Sequence, residues 1–226
     1  MLYIIQNDPE VPPGNIEDFL PIPYVISHPY NGEPLPIIEH ISALIVLGGA
    51  MSVNDDERHP FLTDLKCLIR EVVSVRLPFL GICLGGQLLA AALGSRVVAN
   101  RWAETGTMKV CLTDEGKADP LFKGIPPEFM TFQWHNDSFD LPPESVLLAS
   151  SSTCQNQAFR VGDSAWGLQF HPEVTERIIR DWCAWDSSMS LTTQQIVDGF
   201  KAEAENCHAA SWQLIRNFLP SALLLT

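Results

Sequence analysis

The sequence predicts one α/β domain with an open, mostly parallel central sheet and helices on both faces. Three observations carry this expectation. Short apolar, β-branched runs recur, and several lack the polar alternation of a half-exposed strand. Between two of them lies a stretch with a single apolar stripe at helical spacing. A chain of 226 residues, 46% hydrophobic and 18% charged, suits one sizeable core better than several small ones.

The elements can be justified in order. Residues 2–6, 22–27 and 43–47 read as strands, and Phe61, Leu65, Leu68, Ile69 and Val72 then form one helical stripe, with Pro60 suited to its first turn. Residues 77–82 read as the next strand, and an Ala/Leu-rich helix follows Leu84. Strand–helix–strand–helix order implies parallel strands joined by right-handed crossovers. Residues 96–99 precede a strand-rich middle, about 107–170, with runs at 108–112, 129–134, 146–149, 157–161 and 165–170. Beyond Phe170 the pattern turns helical. Thr175 can cap a helix over 176–185, residues 186–190 are the break, and Thr192 or Thr193 can cap a longer segment toward Phe218. That segment carries a stripe of Ile196, Val197, Phe200, Ala204, Cys207, Trp212, Ile215 and Leu219, expected to pack on its own domain. Pro-rich stretches at 9–13, 21–36 and 120–127 read as surface loops. The whole chain, 1–226, is thus expected to be a single domain, with a core at about 40–175 and a C-terminal helical segment at about 175–220.

Composition excludes several classes of function. Lys and Arg number 14 against 27 Asp and Glu, a formal charge of −13 that would repel a nucleic-acid backbone. No run approaches the roughly 18 apolar residues of a membrane span, and the start Met1-Leu2-Tyr3-Ile4-Ile5 lacks the basic region of a signal peptide. A cytoplasmic protein without membrane contact is expected. The six cysteines show no C-x-x-C pair and no histidine at finger spacing, so neither a zinc site nor a disulfide framework is indicated. Most read as reduced, buried thiols.

Cys83 is the exception. Gly81-Ile82-Cys83-Leu84-Gly85 joins a buried strand to a helix through G-x-C-x-G, the form of a nucleophile elbow. A sharp turn lifts the thiol above the sheet, and glycines on either side leave space where a Cβ would meet neighbouring backbone. The helix start would favour a thiolate through its dipole and free N–H groups. The same segment could be no more than a tight turn with a buried cysteine. A second segment argues for chemistry: a buried strand ends in Phe170-His171-Pro172-Glu173, which supplies an imidazole base and, two residues later, a carboxylate to orient it. Gly48-Gly49, after the strand at 43–47, can bring backbone N–H donors close to a developing oxyanion. Gly49 and Leu84 are the expected donors.

Gly81-Ile82-Cys83-Leu84-Gly85-Gly86-Gln87, with Phe170-His171-Pro172-Glu173 about 88 residues after the cysteine, resembles the class I glutamine amidotransferases. The likeness covers roughly residues 40–175 and implies their flavodoxin-like fold and a Cys83–His171–Glu173 triad. The strand and Gly-Gly turn at 43–53 resemble the family's approach to the oxyanion hole, with Ala50 where the family usually has Pro. Gly86 takes a place the family often gives to His or Ala, and Gln87, whose side chain is expected to help hold substrate glutamine, is kept. Residues 132–139 resemble the segment that lines the glutamine pocket, so the likeness makes Trp134 and His135 substrate-binding candidates. Trp102-Ala103-Glu104-Thr105-Gly106 resembles a loop near that pocket, with Glu104 expected to receive the substrate's amino group.

The resemblance implies hydrolysis of the side-chain amide of L-glutamine to glutamate and ammonia, without metal or organic cofactor. No G-x-x-x-x-G-K-[ST] loop is present, and about fifty residues follow the triad, so a synthetase taking the ammonia is expected as a separate chain, as for stand-alone, GMP synthase-like members. Two alternatives stay open: a γ-glutamyl peptidase acting on glutathione-like compounds by the same acyl-enzyme route, and a regulatory subunit with an idle triad.

Overall fold

A computed structural model describes residues 1–186, 189 and 191–223. Eleven strands and six α-helices alternate along this stretch, with three short 3-10 segments between them. Three of the first four strands, β1 (Leu2–Ile5), β3 (Ala43–Val46) and β4 (Phe79–Ile82), are apolar with almost no exposure, which is why they read as continuous hydrophobic runs. β2 (Tyr24–Ser27) is the edge strand and is partly exposed.

The nine-stranded sheet has the order β2-β1-β3-β4-β11-β10-β9-β6-β7. β2, β1, β3, β4 and β11 (Ala165–Leu168) run parallel, with Gly81 opposite Gly167 in the register of β4 and β11. The strand-rich middle extends this half with antiparallel pairs through β10 (Ala158–Val161), β9 (Val146–Ser150), β6 (Glu104–Leu112) and β7 (Glu128–His135). β5 (Val97–Val98) and β8 (Ser138–Phe139) form a separate two-stranded ribbon. β6 begins four residues before the predicted run, because Glu104 pairs with His135 in unbroken register with β7. The segment expected as a pocket loop is therefore strand from Glu104 onward.

Helices cover both faces. α2 (Phe61–Ser74) buries Leu62, Leu65, Leu68, Ile69 and Val72, the predicted stripe shifted by one member, and packs beside α3 (Leu84–Ala92) on one face. On the other face the long α6 (Thr193–Leu223) places Leu214, Ile215 and Phe218 over Trp166, Phe122 and Leu121. Nearer the start of the same helix, Val197, Phe200 and Cys207 meet Ile178, Ile179 and Trp182 of α5 (Glu176–Trp185). The C-terminal stripe does pack on its own domain, although Trp212 stays 40% exposed. Thr175 caps α5 as expected, accepting from Ile178 N at 3.2 Å. Of the break at 186–190, residues 187, 188 and 190 lie outside the described residues.

Two short helices escaped the sequence reading. α1 (Asn15–Phe19) and α4 (Asp114–Ala118) are five residues each, too short to show a periodic stripe. No helix among the described residues is long and apolar enough to cross a membrane.

Candidate active site

Cys83 lies at the carboxyl end of β4, in the middle of the sheet, where open α/β sheets present their ligand sites. Its backbone has φ 50° and ψ −107°, a left-handed conformation that costs a side-chain-bearing residue about 1–3 kcal/mol and persists only when the surroundings enforce it. The glycines show what enforces it. A Cβ on Gly81 would lie 2.4 Å from the Gly85 carbonyl, and one on Gly85 would lie 2.0 Å from Val46 O, so strand, turn and helix pack backbone to backbone. Gly86 belongs to the same contact, since its Cβ would come 2.5 Å from Leu168 O.

His171 and Glu173 follow β11. The His171 backbone N–H donates to Phe132 O at 2.8 Å, which ties this segment to β7. Nδ1 of His171 lies 2.6 Å from Glu173 Oε1, and the Glu173 side chain is fully buried. Burial by itself would lower the His171 pKa. The charge of Glu173 and that of a Cys83 thiolate outweigh it and raise the imidazole well above its ordinary value. Nε2 of His171 and Oε2 of Glu173 are buried without a hydrogen-bond partner. Cys83 and His171 close on the same point: a Cβ on Gly48 would sit 3.6 Å from Cys83 Cβ and 3.2 Å from His171 Cε1. Gly48 thus leaves the space where thiol and imidazole meet.

Around this pair runs a cleft of about 430 Å³, lined by Gly49, Gln87, Trp134 and His135 among others. Gly49 abuts the start of α3, where a Cβ would lie 2.8 Å from Leu84 Cδ2 and 2.6 Å from Met51 Sδ. Leu84 is the first residue of that helix, so its N–H has no partner within the helix. Asp8 pins the Gly-Gly turn by accepting from Ala50 N at 3.1 Å. Gln87 donates from its amide nitrogen to Asp137 O at 3.1 Å and Gln169 Oε1 at 3.4 Å, and Gln169 Nε2 is 3.7 Å from Cys83 Sγ. Trp134 packs edge to face with Trp182 at 5.7 Å, and its carbonyl is 3.9 Å from Cys83 Sγ.

Of the predicted substrate-binding residues, Glu104 is the one that the structure takes out of the cleft. Its side chain is 1% exposed, and its carboxylate accepts from Ser151 Oγ at 2.6 Å and Gln157 Nε2 at 2.5 Å, with His135 Nε2 at 3.1 Å. Direct contact with a substrate amino group is ruled out by that burial. Desolvation pushes the Glu104 pKa up, but the three hydrogen bonds and the His135 charge bring it below the usual carboxylate value. Glu104, His135 and Cys154 hold potential ligand atoms within 4.8 Å of one another. Their carboxylate is already bonded by three donors, so the group fits a hydrogen-bond network better than a metal centre.

Three contributors had no signal in the sequence, and Gly48, read only as part of the Gly-Gly turn, also leaves room for the thiol and imidazole. Asp8 acts by bracing the loop. Trp182 meets the His171 ring edge to face at 4.9 Å and donates to Glu10 O at 2.5 Å, across 172 residues of chain. Gly14, at φ +52°, comes so near Glu173 that a Cβ would lie 2.1 Å from the Glu173 carbonyl.

Comparison with known proteins shows the family. The glutamine amidotransferase-like protein YfeJ of Salmonella typhimurium is 33% identical over 153 residues, which are 66% of this chain and 64% of YfeJ. A GMP synthase (glutamine-hydrolyzing) of Cytophaga hutchinsonii is 35% identical over 157 residues, 69% of this chain but only 29% of the relative. A crystal structure of a glutamine amidotransferase from Thermotoga maritima superposes with a TM-score of 0.86 at 31% identity, covering 98% of this chain and 97% of that one. The chain therefore spans under two thirds of the length of the first two relatives and nearly all of the third. The family model for glutamine amidotransferase class-I matches residues 24–180, and the chain belongs to that family.

Proposed function

We propose that the chain hydrolyses the side-chain amide of L-glutamine to glutamate and ammonia through a γ-glutamyl thioester on Cys83. The observation that carries the reading is the buried 2.6 Å contact of His171 with Glu173 beside a cysteine held at positive φ. The Cys83 thiolate attacks the δ-carbonyl, and the N–H groups of Gly49 and Leu84 stabilise the oxyanion. His171, held cationic by Glu173, protonates the departing ammonia. The neutral imidazole left behind then takes a proton from water as the water attacks the thioester, which releases glutamate and restores the thiolate–imidazolium pair.

The ammonia passes to a synthetase. The support is that the match covers 29% of a whole GMP synthase, leaving the greater part of that relative outside it. A second reading has one observation behind it. The cleft that Cys83 lines is also lined by Trp185, 55% exposed, and Asp186, so a leaving group larger than ammonia would fit, as in γ-glutamyl peptides. Ammonia and glutamate release from L-glutamine, with γ-glutamyl peptides in parallel and Cys83→Ala as control, separates the two. Turnover of glutamine lost in the variant supports the first; preference for the peptides supports the second; equal turnover by the variant rejects both.

A further inference from the structure

We propose that Gln169 stabilises the Cys83 thiolate and that Gln87 is the positioning residue that aims it; this rests on the proposed reading of Cys83 as the nucleophile. Gln169 is fully buried two residues before His171, and its backbone N–H donates to Gln157 O at 2.8 Å. Its side chain ends a relay that starts at a backbone carbonyl. Asp137 O can only accept, so what Gln87 presents to it at 3.1 Å is the amide nitrogen. The second hydrogen of that nitrogen goes to Gln169 Oε1 at 3.4 Å. A donor at that place fixes the Gln169 amide: its oxygen faces Gln87, and its nitrogen faces Cys83 Sγ at 3.7 Å. The reverse orientation would set two N–H donors against each other.

The sulfur thus lies between two groups of opposite preference. Trp134 O, 3.9 Å away, accepts from the neutral S–H and has nothing to offer an anion. Gln169 Nε2 can only donate, and donation to an ionised acceptor is stronger than to a neutral one. Loss of the thiol proton to His171 therefore strengthens the Gln169 contact as it ends the one to Trp134, and hydrogen bonding to the charged form favours that form. Burial keeps water from both amides, so the donor holds its aim before the proton moves. Gln87, with both amide hydrogens committed, acts on the sulfur through Gln169 and has no N–H left for substrate.

The test uses Gln169→Met, Gln87→Met and the double variant, all without substrate. Alkylation of Cys83 by iodoacetamide at neutral pH reads the reactive thiolate, and the ultraviolet absorbance of the thiolate, taken as the difference from Cys83→Ala, counts it directly. Gln169→Met is expected to slow alkylation about 10-fold with a matching loss of absorbance, the lower range for a hydrogen bond to a charged group. Gln87→Met should lower both readings in the same direction and add little in the Gln169→Met background. A Gln87 that only held glutamine would leave both readings of the free enzyme unchanged. Circular dichroism establishes folding, and Gln87→Met carries the test if Gln169→Met does not fold. Wild-type alkylation and absorbance in a folded Gln169→Met or a folded Gln87→Met, or full additivity of the two, overturns this inference alone. The expected losses in the variants, with no wild-type turnover of glutamine or γ-glutamyl peptides, would reject the proposed reaction and leave the inference standing.

Discussion

Replacing Glu173 by Gln tests how the imidazole is charged. The substitution keeps the shape of a fully buried side chain and removes the charge that sits 2.6 Å from His171 Nδ1. Burial continues to disfavour the imidazolium, and the principal opposing influence is gone. Two unit charges about 4 Å apart interact by roughly 4 kcal/mol at an effective dielectric of about 20. A neutral amide retains part of the hydrogen bond, so the imidazolium loses about 2–4 kcal/mol of support and the His171 pKa falls. The thiolate–imidazolium pair shrinks with it, and kcat/KM falls about 30- to 10³-fold. The assay is the pH dependence of Cys83 alkylation by iodoacetamide, followed alongside steady-state turnover. A variant with the wild-type alkylation profile and wild-type kcat/KM would refute the assignment of Glu173 as the counter-charge.

The same shift has a consequence for folding. A histidine whose folded pKa is raised contributes stability that is fully present below its unfolded value of about 6.5 and is lost as pH rises through the folded value. Wild-type stability by urea denaturation should therefore fall between mildly acid and alkaline buffer more than that of Glu173→Gln. Gly14→Ala should cost about 1–3 kcal/mol from its positive φ and its clash with the Glu173 carbonyl, and should lower kcat by displacing that carboxylate; unchanged kcat would remove Gly14 from the site's support. Asp119→Ala should behave oppositely. Its buried carboxylate accepts from Arg160 Nε at 2.6 Å and Trp166 Nε1 at 3.0 Å, so its loss should cost about 3–5 kcal/mol in denaturant melts while kcat of the folded enzyme stays unchanged.

Much of this arrangement is legible in the sequence because its signals are local. The elbow is five consecutive residues, and His171 and Glu173 are two apart, so the chemistry appears without knowledge of tertiary contacts. The parallel strands are legible because burial on both faces removes polar residues from β1, β3 and β4. What stays hidden depends on distant segments. Glu104 lies in a run with loop-like residues, Gly106 at φ +109° among them, and only pairing with β7 makes it strand and closes it off from the cleft. Trp182 falls within the predicted helix over 176–185, and nothing in its neighbours points to Glu10 or His171. Gly14 carries its meaning in what a Cβ would strike, which no sequence pattern displays.

Mass spectrometry of acid-quenched enzyme incubated with L-glutamine examines the central step directly. The account predicts a γ-glutamyl adduct on the peptide containing Cys83, absent from Cys83→Ala and accumulating when deacylation is slowed. Glutamine turnover with no adduct on that peptide, or with the adduct on another residue, would contradict it.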